Sequence, residues 1–235
     1  MKRGLYLAEL ATAAESVGWD GLFLWDRIAY PPRERAVADP WVALSAIASA
    51  TDTLRLGPMV TPLARRRVHK LARETVTLDH LSNGRLTLGV GLGNGDDLGP
   101  FGEAVDPRER GRLLDAGLER LGGFWSGGLR PLPLQRPRIP VWVAASWPNR
   151  RPVRRAVRWD GLFPIELPGP EGLAELAEEV QRARGGSDRP FDLVVEVPPG
   201  ADVRPWEAAG ATWVLTSIDP QPPEPEVRAV VDAGP

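Results

Sequence analysis

Hydrophobic positions along the chain follow two alternating periodicities. Short, mainly apolar runs predict β-strands, and the stretches between them repeat apolar residues every third or fourth position, as amphipathic helices do. The run Gly-Leu-Phe-Leu-Trp at 21–25 is apolar throughout, which is typical of a strand covered on both faces. Strands are predicted at about 2–7, 21–25, 54–61, 85–91, 139–144, 160–165, 191–197 and 212–216.

Capping residues mark several of the helices between these strands. Asp39-Pro40 and Asp106-Pro107 each place a capping aspartate before a proline at the first helical position. Glu109 supplies the acid of a capping box, and Gly18 is placed to end the first helix. In the second half of the chain, helices are predicted near 148–158, 171–184, 203–209 and 224–232.

The pattern amounts to eight strand–helix pairs, which predicts parallel strands joined by crossover helices. Eight pairs in 235 residues favour an α/β fold of the (β/α)8 TIM-barrel type, compact with shortened loops, as a single domain over residues 1–235. An open, doubly wound sheet is the alternative. The sequence WDGLF at 19–23 recurs at 159–163, and shared turn chemistry explains this more simply than a half-barrel repeat does.

Composition and charge exclude several classes of protein. The chain has 29 Lys and Arg against 31 Asp and Glu, a net charge of −2, which argues against nucleic acid as a partner. It has no cysteine, and its two histidines, His69 and His80, lack carboxylates at metal-ligand spacing, so no metal site is expected. No signal peptide is recognised, and no apolar run approaches the roughly 20 residues of a membrane span. We expect a cytoplasmic protein that acts on a small molecule.

The residues just after each strand are the candidates for chemistry, because (β/α)8 barrels bind ligands at the C-terminal ends of their strands. Asp26-Arg27 follows the second strand, and Arg65-Arg66-Arg67 after the third is interpreted as a solvated surface. The fourth strand and its turn carry a glycine series that indicates either close approach of a ligand or a flexible turn. The series is Gly89, Gly91, Gly93 and Gly95. It fits G-x-G-x-x-G in no register, so a Rossmann dinucleotide site is disfavoured.

The turn after the fifth strand is a candidate anion site. Ser146 precedes a helix predicted from about Pro148, whose free N-terminal amides could bind an anion. Asn149, Arg150 and Arg151 add donors, so a phosphate would gain charge-assisted hydrogen bonds as well as the helix dipole. The alternative is an ordinary cap followed by a solvated basic face. A phosphate site alone would also suit another barrel enzyme that handles a phosphorylated metabolite.

Four segments of the sequence resemble the luciferase-like monooxygenase family. They are GWDGLFLWD at 18–26, DPWVAL at 39–44, LGPMVTP at 56–62 and LDHLSNGRLTLGVG at 78–91. The stretch from the third strand to the fourth is the most specific of these. The resemblance covers most of residues 1–165 and is weaker beyond them.

The resemblance implies a (β/α)8 barrel that binds reduced FMN or a 5-deazaflavin coenzyme. Family members oxidise an organic substrate with O2 or transfer a hydride, and the protein orients the reactive ring and excludes water. The implied cofactor-binding residues are Met59, Val60, Thr61, Gly91, Gly93 and Asn94 beside the ring, and Ser146, Asn149 and Arg150 beside the phosphate. Arg27 and Asn94 are the candidate catalytic or substrate contacts. A homodimer through helices two and three is also implied.

Some positions depart from the family pattern. Arg27 stands where many members have a histidine that could donate a proton, and Asn94 stands where some subgroups have an acid. The chain is also short at Leu7-Ala8, in 126–136 and around Pro220. The alternative function is therefore a non-catalytic or impaired relative that binds or dimerises. The substrate, and the choice between FMN and deazaflavin, stay open at this stage.

Overall fold

The computed structural model describes residues 3–29, 37–218 and 223–235, with side chains from residue 6 onward. The region around Pro220, which the sequence suggests is short, lies outside these residues. The chain divides into two compact units, residues 1–140 with 231–235 and residues 141–230. Within the described ranges, no helix combines the length and apolar character that crossing a membrane requires.

The first unit alternates helices with short parallel strands. Its elements are α1 (Arg3–Ser16), β1 (Gly21–Leu24), α2 (Pro40–Ala50), β2 (Arg55–Pro58), β3 (Thr61–Pro62), α3 (Val68–Leu81), β4 (Leu88–Gly91), α4 (Gly95–Leu98) and α5 (Pro107–Gly123). Strand β1 pairs with β2 in parallel, and β3 pairs with β4 in parallel. The predicted strand at 54–61 is thus two strands, β2 and β3, and the Met59–Val60 peptide bond between them is cis.

The core of the first unit is built from apolar stripes at helical spacing. The stripe of α5 continues into the π-helical turn Phe124–Gly128, and all four of its predicted members are buried. They are Leu114, Leu118, Leu121 and Trp125. Both predicted caps are also confirmed, since Asp39 accepts from the amide of Trp41 at 2.9 Å and Asp106 accepts from that of Glu109 at 2.9 Å.

The prediction of a strand at about 2–7 is wrong, because residues 3–16 form the single helix α1. The segment is rich in Leu, Ala and Glu, which are strong helix formers, and has no β-branched residue before Thr12. Its apolar residues Leu10, Ala11 and Ala14 are buried at helical spacing. Because no strand precedes Leu7-Ala8 in the described chain, the inferred short connection at that point is also wrong.

Two charged side chains hold the loop between α2 and β2. The guanidinium of Arg85 donates to the carbonyl oxygens of Ala48 at 2.9 Å, Thr51 at 2.6 Å and Leu54 at 2.7 Å. The carboxylate of Glu15 accepts backbone N–H bonds from the same loop, including that of Leu54 at 2.8 Å. Burial opposes ionisation of Glu15, but hydrogen bonds from the 52–54 backbone and the Thr53 hydroxyl outweigh it and lower its pKa to about 2.

Glu15→Gln should destabilise the protein in a pH-dependent way. The folded-state pKa of about 2 lies below the reference of 4.5, so the stabilisation is complete above pH 4.5 and is lost as the pH falls towards 2. We expect the substitution to lower the free energy of unfolding by about 1 kcal/mol at pH 7, because the site is partly exposed. Urea unfolding at pH 7 and at pH 3 measures the difference in free energy of unfolding between wild type and Glu15→Gln. Glu9→Gln, at an exposed position of the same helix, is the control. An equal loss of unfolding free energy in both variants at both pH values would show that the Glu15 carboxylate does not hold the 52–54 backbone.

The second unit carries four parallel strands in the order β5-β6-β7-β8. Its elements are β5 (Val141–Ser146), α6 (Arg151–Ala156), β6 (Gly161–Ile165), α7 (Pro170–Arg184), β7 (Asp192–Val197), α8 (Arg204–Ala208) and β8 (Trp213–Thr216), and α9 (Glu224–Ala233) contains the boundary with the first unit. These bounds confirm the predicted order of elements. Trp142 packs on Trp213 with ring centroids 5.4 Å apart and donates to Asp192 at 2.9 Å, so these tryptophans are packing residues.

Candidate functional site

A buried carboxylate follows β1 and is surrounded by hydrogen-bond donors. Asp26 is only 3% exposed. Its Oδ2 accepts from the hydroxyl of Thr61 at 2.9 Å and from Nε1 of Trp41 at 3.2 Å. Asp26 lies just after β1, Trp41 in the first turn of α2 and Thr61 at the start of β3. The carboxylate therefore joins three separate elements of the first unit.

Two arginines complete this cluster, which we call the Asp26 cluster (Asp26, Trp41, Thr61, Arg65 and Arg66). Arg65 forms an ion pair with Oδ1 of Asp26 and donates to the backbone oxygen of Asp26 at 2.9 Å. Arg66 Nη2 donates to Oδ1 at 2.9 Å and to Oδ2 at 2.8 Å. The side chains of Asp26 and Arg65 are 1% and 5% exposed, and that of Arg66 is 20% exposed.

The interpretation of Arg65-Arg66-Arg67 as a solvated surface is therefore wrong for two of its three residues. The 3-10 turn Leu63–Arg65 follows β3, and the side chains of Arg65 and Arg66 both reach the end of β1. Arg67 is exposed, as predicted. A buried acid at the end of one strand and a basic run after the next were visible in the sequence, and complementary charge at one sheet edge could have indicated this pair.

A second buried carboxylate holds the backbone that follows Arg27. Asp97, in the short helix α4, is 5% exposed. Its Oδ1 accepts from the amide of Ile28 at 3.1 Å and from that of Ala29 at 3.0 Å. Arg27 itself is half-buried. The residue before Arg27 is held by the Asp26 cluster and the two residues after it by Asp97, so the backbone of this candidate residue is fixed on both sides.

Asp97→Asn should release the backbone at Ile28 and Ala29. An amide presents one oxygen in place of two charged ones, and hydrogen bonds to charged acceptors contribute about 1.5–3 kcal/mol. We expect hydrogen–deuterium exchange at the amides of Ile28 and Ala29 to accelerate at least tenfold. Asp96→Asn changes the same charge at an exposed neighbour and should leave both amides unchanged. Equal exchange in wild type and both variants would show that Asp97 does not hold this segment.

The turn after β4 is fixed by a buried cation. Arg110 of α5 is 6% exposed and donates to the carbonyl oxygens of Gly93 at 2.5 Å and Leu92 at 3.3 Å. Its Nε is buried and finds no acceptor in the part of the chain that the structure describes. Asn94 is exposed and caps α4 by accepting from the amide of Asp96 at 3.0 Å. The predicted site residues Gly91, Gly93 and Asn94 thus form one anchored turn.

Strand β3 and the two residues before it place three more predicted residues beside strand β4. Thr61 pairs with Val90 across β3 and β4. Met59 and Val60 are half-buried, so part of each side chain stays accessible. Thr61 is fully buried and its hydroxyl is bonded to Asp26, so that hydroxyl is already used within the protein.

The glycine series serves the packing of the chain on itself at two positions. A Cβ on Gly89 would lie 2.3 Å from the carbonyl oxygen of Pro58 and 2.8 Å from Sδ of Met59. One on Gly93 would lie 2.8 Å from Cβ of Pro62, and Gly93 has a φ of +74°. Nothing lies within 4 Å of such an atom on Gly95. At Gly89 and Gly93, the close approach that the series indicates is therefore made by a neighbouring segment of the same chain.

In the second unit, the predicted anion-binding residues surround the turn between β5 and α6. Ser146 is exposed and its carbonyl accepts from the amide of Asn149 at 2.9 Å. The side chain of Asn149 accepts from the amide of Arg151 at 3.1 Å, so α6 starts at Arg151 rather than near 148. Arg150 pairs with Glu175 at 3.4 Å and Glu179 at 3.0 Å and lies 4.4 Å from the ring centroid of Trp147. Anion binding at this turn stays a prediction.

Comparison with known proteins adds to this geometry. The profile of the luciferase-like monooxygenase family matches residues 3–211 of the chain. The chain belongs to this family. Among related sequences, an uncharacterized protein of Mycobacterium tuberculosis (strain ATCC 25618 / H37Rv) is 29% identical over 250 residues, which cover 91% of this chain and 87% of that protein.

Solved structures resemble this luciferase-like chain in fold. The coenzyme F420 dependent tetrahydromethanopterin reductase from Methanopyrus kandleri matches with a TM-score of 0.73 and 14% identity, over 97% of this chain and 94% of its own. The oxygenating constituent of 3,6-diketocamphane monooxygenase from Pseudomonas putida, solved with FMN, matches with a TM-score of 0.68 and 18% identity, over 83% and 61%. The predicted α/β class of the (β/α)8 barrel type is confirmed. The single-domain organisation and the dimer through helices two and three stay predictions.

Proposed function

We propose that this luciferase-like chain is an oxidoreductase that uses reduced FMN with O2, or a deazaflavin hydride carrier, on a small organic substrate. Membership of the family and the likeness in fold to an FMN enzyme and an F420 enzyme support this proposal. The observation that carries it is the edge formed by β3 and β4. There the accessible Met59 and Val60 lie beside Gly89 of β4, and β4 leads into the turn 91–94 that Arg110 holds.

The residues at this edge fit a flavin-type ring system. Met59 and Val60 offer half-buried apolar surface, and cofactor sites are mainly apolar with a few placed polar groups. The buried Nε of Arg110 is a donor of the kind that a bound acceptor satisfies. The cofactor, when bound, supplies the electron or hydride chemistry. The part of the chain is to hold the turn 91–94 rigid, to orient the ring against Met59 and Val60, and to exclude water.

One observation favours a second candidate, a non-catalytic relative that binds ligand without turnover. Arg27 stands at the family's frequent histidine position, and a guanidinium does not serve as a general acid or base in the way that an imidazole does. Neither histidine replaces it, since His69 and His80 are both exposed on α3. Residues 3–16 are helical, so this candidate has no support from a shortened first connection.

A calorimetric titration of the purified protein with FMN and with the deazaflavin coenzyme, each oxidised and reduced, tests the proposal. We expect saturable micromolar binding of one of them. Arg110→Met should weaken that binding about tenfold, because the turn 91–94 loses its anchor, whereas Arg112→Met at an exposed position of α5 should not. Consumption of the reduced coenzyme in a substrate screen then tests turnover.

Each outcome decides between the two candidates. Binding with turnover supports the oxidoreductase, and binding without turnover across the screen supports the non-catalytic relative. Binding of neither coenzyme below about 100 µM would refute the cofactor site at this edge, given the ordinary range of cofactor and substrate affinities. Equal cofactor affinity in wild type and in both arginine variants would refute the role of Arg110 but not the cofactor site.

A further inference from the structure

The Asp26 cluster contains more positive charge than negative. Arg65 and Arg66 both pair with one carboxylate, and that carboxylate is already saturated by Thr61 and Trp41. No second acid lies within ion-pair distance of Arg66 among residues 3–29, 37–218 and 223–235. One guanidinium charge at the end of β1 is therefore uncompensated by the described part of the protein.

Arg66 is the member of the cluster with hydrogen-bonding capacity to spare. A guanidinium has five N–H donors, and the bonds from Arg66 to Asp26 all leave from Nη2. Its Nε is buried and has no acceptor among the described residues, which is costly unless a ligand or water supplies one. Its side chain is nevertheless 20% exposed, so the group can be reached from outside.

The orientation of this guanidinium is also constrained. Its central carbon lies 5.8 Å from the ring centroid of Trp41, and two bonds to Asp26 fix one end of the fork. Among the described residues Nη1 makes no hydrogen bond, so its two N–H donors are held in a fixed direction for an oxygen of a bound anion. Arg66 follows β3 after the 3-10 turn Leu63–Arg65, so it is near the β3–β4 edge proposed for the cofactor.

We propose that Arg66 binds a carboxylate group of the substrate, so that the protein acts on an organic acid. That the bound acid is a substrate rests on the proposed oxidoreductase function. That Arg66 binds a carboxylate does not depend on it. A carboxylate is favoured over a phosphate because the cluster has a single excess positive charge, which a monovalent anion balances. Asp26 is then a positioning residue, which holds Arg66 in place and does not touch the ligand.

The experiment titrates benzoate, a planar monocarboxylate, into the full chain without cofactor, at constant ionic strength, by calorimetry. Arg66→Met leaves Arg65 paired with Asp26, so the buried charges remain balanced. We expect it to weaken benzoate binding at least tenfold. Arg67→Met removes the same charge from the exposed neighbour and should leave binding unchanged. Arg66→Lys keeps the charge without the fork and should give an intermediate loss, which keeps the test valid if the Met variant folds poorly.

Several outcomes would overturn the proposal. Benzoate affinity that is equal in wild type and Arg66→Met, or that falls equally in the Arg67→Met control, would show that Arg66 is not a specific site. Displacement of benzoate by FMN but not by riboflavin would assign the arginine to the cofactor phosphate instead. Benzoate binding through Arg66 in a protein that binds neither coenzyme would support the anion site while the oxidoreductase proposal fails, so the two failures are distinguishable.

Discussion

Asp26→Asn is expected to lower the free energy of unfolding by about 3–5 kcal/mol. The substitution leaves the buried guanidinium of Arg65 and the partly buried one of Arg66 without their anion. Removing one partner of a buried ion pair is strongly destabilising, because the remaining charge stays desolvated and uncompensated. The new amide nitrogen would also face donors, since Thr61 and Trp41 both donate to this carboxylate.

Urea unfolding at pH 7 measures the effect, with Asp20→Asn as the control. Asp20 is exposed and precedes the same strand, so its substitution removes an equal charge and should change stability by less than about 0.5 kcal/mol. The difference in free energy of unfolding between Asp26→Asn and Asp20→Asn should persist at 1 M salt, since salt screens buried ion pairs only weakly. A loss below about 1 kcal/mol for Asp26→Asn would mean that the cluster is not formed in solution.

Gly89→Ala should displace the segment that joins β2 to β3 and reduce stability by about 3 kcal/mol. The added Cβ would lie 2.3 Å from the carbonyl oxygen of Pro58, a backbone atom that cannot rotate away. Overpacking a tight interior costs about 1–3 kcal/mol, and a backbone obstacle puts this site at the upper end. Met59 and Val60 would move with the segment, so we also expect flavin or deazaflavin affinity to fall at least tenfold.

The matched control for this substitution lies in the same glycine series. Gly95→Ala meets nothing within 4 Å and should leave both stability and cofactor binding unchanged or slightly improve stability. Thermal unfolding and the calorimetric titration are run on both variants. A Gly89→Ala protein as stable as wild type, with unchanged cofactor affinity, would show that β4 does not pack against Pro58 as closely as the structure indicates.

Elements with local chemical signals could be predicted from the sequence. Asp39 and Asp106 cap α2 and α5 because a carboxylate followed by proline satisfies free amides within a few residues. No such local signal distinguishes a strand from a helix in the first element. Leu5 and Leu7 alternate with other residues as a strand would, and only the helical spacing of the buried Leu10, Ala11 and Ala14 decides for α1.

The candidate site depends on contacts between residues distant in sequence, and so it was only partly predictable. The sequence could place Met59 and Val60 on the strand next to β4, because consecutive parallel strands are neighbours, and the structure puts both beside Gly89. Their role in binding a cofactor stays a prediction. The roles of Arg65 and Arg66 were missed because a basic run is usually solvated, and only the fold brings it to Asp26. Arg110 was missed as well, since nothing in a helix sequence shows that its guanidinium reaches carbonyl oxygens 17 or 18 positions earlier.

The bonds of Arg85 make the end of α2 a cooperative feature of the first unit. Helix α2 ends at Ala50 without a glycine. The carbonyl oxygens of Ala48 in its last turn and of its C-cap Thr51 accept from a guanidinium that lies 37 and 34 positions further along the chain. In a nascent chain that stops before Arg85, these two carbonyl oxygens lack this partner and are left to water. We therefore expect the end of α2 and the segment of Arg85 just before β4 to gain protection together during folding rather than in the order of synthesis.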